Sequence, residues 1–340
     1  MGLTLAEIAV EIGAELHGDG RIAVRALGTL KGAGPDQLAF LANPKFRSYL
    51  EQSDAAAVIC TPDEVPFSPV PALAVADPYK AFALISRFFD PAPVGPTGVH
   101  PSAVVAATAR VSASASIGPN AVVEEGAEIA DGVTLMAGAF VGAGSRIGAG
   151  TRLWPNVTVY HGVSIGERCI IHANTVIGSD GFGFAPGRDG WTKIAQVGGV
   201  KIGSDVELGS CCSVDRGAIE DTIIADGVII DNQVHIAHNV RIGRHSAIAG
   251  QVGIAGSVTI GENCIFAGKV GIAGHLDICD GVQVLGMTMV TRSIKKPGVY
   301  ASGVPHDDHA AWRKNAVRFR QLDELFRRVK ALEKSSGDKP

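Results

Sequence analysis

The chain has 340 residues, with 30 basic against 34 acidic side chains, a net charge of −4, 43 glycines and only 6% aromatic residues. That balance excludes the basic footprint of a nucleic-acid or anionic-membrane binder, and abundant Gly, Val, Ile and Ala favour short repeated strands with tight turns over a helical globule. The six cysteines (Cys60, Cys169, Cys211, Cys212, Cys264, Cys279) have neither the paired spacing of a zinc site nor the density of a disulfide scaffold, so they read as small buried or semi-buried thiols in a reducing compartment. Glu7 and Glu11 sit among the first apolar residues, no basic leader precedes an apolar run, and no stretch has the uncharged length to span a bilayer; a soluble cytoplasmic protein is expected.

Residues 1–98 show no long period and are expected to form a small α/β domain. Thr4 and Glu7 have the spacing of a capping box, which predicts a helix with Leu5, Ile8, Ala9 and Ile12 on one face, broken by Gly13 and Gly18. Short apolar runs at 22–27, 37–41, 55–60 and 72–76 predict a sheet. A second helix is expected from Pro78 to Phe89, with Asp77 as its cap. Pro91 to Pro96 reads as a linker.

From Val99 a period of six takes over. Every sixth position as far as Ile177 is Val, Ile or Leu; the phase resumes at Ile202, Leu208 and Val214, and again from Ile224 to Val290. This is the pattern of hexapeptide repeats, in which short strands alternate with corners and stack as a parallel β-helix over 99–305. Two interruptions stand out. One is the step from Ile177 to Ile202, which carries a loop expelled from a coil; the other is four extra residues near Ile219 to Ile223. Residues 306–340 drop the period and read as a helical segment in which Phe319, Leu322, Phe326 and Val329, with Leu325 and Leu332, suit one strand of a short bundle. Seven basic residues between Arg313 and Lys330 face only Asp323 and Glu324, a pattern that fits either a solvated face or the docking of an acidic partner.

Three hexapeptides close one triangular coil, so residues eighteen apart stack about 4.8 Å apart. Allowing for the four extra residues, one corner column reads Arg216, His238, Gly256, Gly274, Arg292, and its neighbour reads Gly217, Asn239, Ser257, His275, Ser293. His238 and His275 therefore share an edge, roughly 10 Å apart. An imidazole base, glycine amides open to an oxyanion and flanking arginines able to grip phosphate are the parts that acyl transfer to an amine or hydroxyl needs. Asp231, seven residues before His238, is a candidate to orient the imidazole. The other histidines, His161, His172, His235 and His245, read as solvated corner residues. The His235-x-x-His238 spacing also invites a zinc site, but the two occupy different places in the repeat and are not expected to converge on one ion.

The segments Asp215-Arg-Gly-Ala-Ile-Glu-Asp-Thr-Ile-Ile224, Ile229-Ile-Asp-Asn-Gln-Val-His-Ile-Ala-His-Asn-Val240, Gly274-His-Leu-Asp-Ile-Cys279 and Pro297-Gly-Val-Tyr-Ala-Ser-Gly-Val-Pro305, with Phe40-Leu-Ala-Asn-Pro-Lys-Phe46 and Asp77-Pro-Tyr-Lys-Ala-Phe82, resemble the UDP-3-O-acylglucosamine N-acyltransferases of lipid A synthesis over nearly the whole chain. The resemblance implies a left-handed β-helix, a homotrimer with clefts between subunits, and transfer of a 3-hydroxyacyl chain from the phosphopantetheine of acyl carrier protein to the 2-amine of UDP-3-O-acylglucosamine. It implies no metal and no resident cofactor. It also implies that His238 is the general base, Asp231 its orienting partner, Gly256 the oxyanion amide and His275 a second histidine for donor and oxyanion handling. Phe40 and Asn43 match the uracil-holding positions, and Phe46 stands where the family often has Tyr, so a hydroxyl contact is lost there. Another hexapeptide acyltransferase, O-acylating or CoA-dependent, and a scaffold without chemistry are the competing readings. The first domain argues against the former and the polar edge against the latter.

Overall fold

A computed structural model describes residues 2–93, 95–303 and 305–336, and the chain divides into two compact units, residues 1–93 and 94–340. The division falls inside the expected linker, five residues before the boundary expected from the repeat.

In the first unit a five-stranded sheet runs in the order Glu15–His17, Ala72–Ala74, Ala57–Cys60, Gln37–Phe40, Ala26–Leu27. The first pairing is antiparallel and the others are parallel. Both faces are covered, so Ala57–Cys60 is buried throughout. Ala57 and Ile59 join Leu5, Ile8, Ala81 and Ile85 on the face under the helices Leu5–Ile12 and Pro78–Ser86, while Val58 and Cys60 pack with Leu41 and Leu50 on the other. The expected caps are present. Thr4 and Glu7 close a reciprocal capping box, Gly13 ends that helix at φ 63°, and the Asp77 side chain accepts from the Lys80 N–H. A 3-10 helix, Pro44–Phe46, and a short α-helix, Arg47–Leu50, follow the strand that ends at Phe40; they carry no sequence period long enough to detect. They are held by Arg47, whose guanidinium donates twice to the buried Glu64 carboxylate at 2.7 and 2.8 Å.

The second unit is a left-handed parallel β-helix with three faces, of eleven, ten and nine strands. Register is exact at eighteen: Ile236 pairs Ile254 and Ile254 pairs Ile272. It is held across both interruptions, where Ile165 pairs Ile202 and Val214 pairs Ile236. The inward Ile, Val and Leu make one continuous core. Corners need a left-handed residue, and the third place after an inward residue supplies it even without glycine, as at Asn120, Asn156, Asn239 and His275 (φ 57–62°). A device not visible as a period recurs two places before inward residues. Ser145, Thr151, Thr175 and Ser246 each donate a hydroxyl to a carbonyl of the next coil and accept an N–H from it. Cys169, Cys212 and Cys264 fill the same place with a thiol, and burial raises the pKa of each. Cys211 is the exception to the expected thiol burial: it is an exposed corner residue at φ 58°.

The segment expected as one helix is two, His309–Phe319 and Leu322–Ser336, with a break at Arg320 and Gln321. Among the described residues no helix is long and apolar enough to cross a membrane.

Candidate active site

His238 follows the strand His235–Ile236 at a corner and is half-buried. Its Nδ1 lies 3.0 Å from Asn239 Oδ1. The identity of that oxygen is fixed independently, because Asn239 Nδ2 donates to the Glu220 carbonyl at 2.8 Å and Oδ1 accepts from the Ala218 N–H at 3.0 Å. An acceptor facing Nδ1 puts the ring proton there and leaves Nε2 with a free lone pair. Nε2 lies over Gly256: a Cβ on that glycine would stand 2.6 Å from it. Only glycine fits beneath the ring, and the Gly256 N–H has no acceptor among the described residues. A base and an oxyanion donor thus share one corner.

The two interruptions of the repeat build the wall of this corner. The returning end of the expelled loop pairs with the smaller bulge, Val197 N–H to Ala218 O at 2.9 Å and Gly198 N–H to Gly217 O at 3.0 Å. Between the ends stands an antiparallel hairpin, Phe184–Gly187 with Gly190–Lys193. Gly181, at the start of the loop, is buried against His238, where an added Cβ would stand 2.6 Å from the histidine Cβ.

Arg216, one coil below His238, does not act as the exposed cation expected from its column. It is 4% exposed, and its guanidinium donates to the Gly178 and His161 carbonyls and to His161 Nε2. It ties down the loop, and its burial leaves no exposed cation for phosphate. His161 is consequently a bonded residue rather than a merely solvated one, and His172 likewise stacks on Trp154 with Glu207 3.2 Å from its Nε2. Arg292 is exposed, with no ion pair among the described residues.

Asp231 is not brought to His238 within one chain. One strand leads from each corner to the next, so residues 231 and 238 fall at different corners. Asp231 instead accepts from Asn232 at 2.7 Å and borders a groove of about 590 Å³ with Ile229, Ala247, Ile265 and Ala267. A second carboxylate lies nearby: Asp215, 7% exposed, accepts from Ser179 at 2.9 Å and lies 3.8 Å from His235. Burial raises its pKa, opposed by the Ser179 hydroxyl and by the charges of His235 and His238. His235 thus faces a carboxylate, and the charge of His238 acts on the same group from further off. The signal missed in the sequence was its place one coil below the His238 corner, one residue past the Val214 that pairs with Ile236. His275 lies two coils above Asn239, exposed, at φ 61°.

In the first unit Phe40 is half-buried, its ring stacked on Phe82 at 4.3 Å with Tyr79 at 5.8 Å. Asn43 caps the following 3-10 helix through Oδ1, leaving its amide N–H groups unpaired among the described residues. Phe46 is 51% exposed and stacks on Tyr49 at 6.2 Å.

Residues 21–88 match the family described as UDP-3-O-(3-hydroxymyristoyl) glucosamine N-acyltransferase, and residues 144–179 match the bacterial transferase hexapeptide repeat. Curated relatives called UDP-3-O-acylglucosamine N-acyltransferase are 63% identical in Chromohalobacter salexigens, over 99% of this chain and 97% of that protein, and 56% identical in Pseudomonas fluorescens SBW25, over 99% and 96%. One from Pseudomonas aeruginosa UCBPP-PA14 is 55% identical over 99% and 98%. A solved structure, the Arabidopsis UDP-N-acetylglucosamine acyltransferase, matches the fold with a TM-score of 0.55 at 23% identity, over 67% of this chain and 80% of that one.

Proposed function

The chain belongs to the UDP-3-O-acylglucosamine N-acyltransferases, and from that membership we propose that it transfers a 3-hydroxyacyl chain from acyl carrier protein to the 2-amine of UDP-3-O-acylglucosamine, in the cytoplasm, as a step of lipid A synthesis. The observation that carries the reading is the pairing of Asn239 Oδ1 with His238 Nδ1, which points a free Nε2 at the space above Gly256. The amine nitrogen attacks the thioester carbonyl while Nε2 takes its proton. The oxyanion forms toward the Gly256 N–H, and collapse breaks the C–S bond and returns the proton to the departing thiolate. The donor arrives on the phosphopantetheine of its carrier already activated, so the scheme uses no metal and no cofactor of the protein's own.

Asp215, whose charge interacts with that of His238, stabilises the imidazolium as it forms. His275 and Arg292, two and three coils further along, serve the donor and the diphosphate. Phe40 presents its free face to the uracil, Asn43 donates to a uracil carbonyl, and Phe46 adds an apolar edge. The working unit is a homotrimer. Assembly is also what returns Asp231 to the chemistry, since a neighbouring copy can present that corner where its own chain does not. The apolar groove beside Asp231 suits an acyl chain, and the basic face of 309–330 suits an acidic carrier.

The test is mass spectrometry of the protein mixed with UDP-3-O-acylglucosamine and a 3-hydroxyacyl donor, carried either by acyl carrier protein or by coenzyme A. Diacylated sugar from the carrier-bound donor is expected. Absence of product from both donors sinks the reading, and equal rates from both remove the carrier from it.

A further inference from the structure

The expelled loop is built around the amide of one glutamine. Gln196 is 7% exposed, and its Nε2 donates to the Ile194 carbonyl at 3.1 Å, which fixes the other amide atom as oxygen. That oxygen, Oε1, is buried and has no donor among the described residues. The amide is wedged between two glycines. A Cβ on Gly183 would stand 2.4 Å from Nε2, and one on Gly181 would stand 2.9 Å from Oε1. The same point on Gly181 is 2.6 Å from the Cβ of His238 and 3.1 Å from its Cδ2, so Gly181 alone separates Oε1 from the imidazole edge. The Gly181-Phe-Gly183 stretch is thus shaped to admit an amide against the base.

A buried acceptor without a donor is costly, and its persistence calls for a group that arrives with a hydrogen to give. Resting on the N-acyltransferase reading, we propose that Gln196 Oε1 accepts a hydrogen bond from the attacking amine. A primary amine carries two N–H groups and one lone pair. With one hydrogen directed to His238 Nε2 and the other to Gln196 Oε1, the lone pair is left to face the carbonyl carbon. Gln196 orients the nucleophile and takes no proton itself. The 3-hydroxyl of the incoming acyl chain is the other donor of suitable chemistry, and the test separates the two.

The Gln196→Met variant keeps the side chain's length and loses the acceptor, while Gln196→Glu keeps an acceptor oxygen and loses the bond to Ile194. Both are assayed beside wild type, with a 3-hydroxyacyl donor and with an unhydroxylated one. For Gln196→Met the expected result is kcat lowered tenfold or more with both donors, KM for the sugar nucleotide changed less than threefold, and Tm equal or higher. Gln196→Glu is expected to recover most of the lost turnover. A loss seen only with the hydroxylated donor assigns the acceptor to the acyl hydroxyl and overturns the proposal. Unchanged turnover also overturns it, because water then satisfies Oε1, and so does a Tm that falls in step with kcat. A wild-type protein inactive with both donors instead overturns the parent reading.

Discussion

The coils from 99 to 177 and the coils from 200 to 290 bury the same residue types at the same interval, yet they differ in what their corners hold. The earlier coils turn on Pro119-Asn120, Asp131-Gly132 and Pro155-Asn156, where the N–H groups of Asn120, Gly132 and Asn156 donate to the coil below. The later coils inherit two insertions that leave the inward register intact. Those insertions cross at residues 197–199 and 217–221, where they supply the carbonyl and amide that grip Asn239, and Asn239 in turn sets the tautomer of His238. Regular repetition provides a rigid rail; its interruptions, fastened to that rail, provide the wall against which the base is aimed.

The largest expected effect separates the two regions outright. His238→Ala is expected to lower turnover by about two to four decades, with circular dichroism and Tm unchanged; a loss that traced to unfolding would remove the histidine from the chemistry. Leu153→Ala makes the opposite cut. Leu153 is fully buried between Leu135 and Ile171 in the uninterrupted coils, so truncation is expected to cost about 2–5 kcal/mol in denaturant titration while turnover per folded protein holds. Impaired turnover of the folded variant would show that the rail is not merely a rail.

Asn239→Gly probes the join. Glycine tolerates φ 62° better than any other residue, so corner geometry is retained while Oδ1 disappears. Turnover is expected to fall by roughly ten- to a hundredfold, as when an orienting partner is lost, with little change in Tm. Full activity would mean that the tautomer is set elsewhere.

The rail was legible because a period of six repeated some thirty times leaves no other reading, and the corner column carrying His238, Gly256 and Arg292 follows from it by counting. The wall was not legible. Gln196 lies inside an insertion, and Asp215 and Asn239 bond to residues of the insertions, where no period says which residue meets which. Arg216 shows the same failure in reverse: its column promised an exposed cation, and the loop carbonyls of Gly178 and His161 absorbed it. Asp231 falls at another corner than His238 within one chain, because a single strand, His235–Ile236, lies between them, and counting along the sequence does not show that. In the first unit the cap at Thr4 and the buried strands were readable, whereas the Arg47–Leu50 helix depends on the distant Glu64.

The smallest expected effect concerns Asp215. Burial raises its pKa in the folded state, so its contribution to stability is fully present below the ordinary carboxylate range and is lost as pH rises through the raised value. Asp215→Asn carries no such charge and keeps an oxygen for the Ser179 hydroxyl. Its Tm relative to wild type is therefore expected to climb from acid to neutral pH. Turnover is expected to move the other way, down by about threefold, because the imidazolium formed at His238 loses a nearby negative charge. The two readouts pull in opposite directions only if the carboxylate is kept, against its own burial, for the sake of the histidine. A variant that loses stability toward neutral pH, or that matches wild-type turnover, would make Asp215 one more buried residue of the rail.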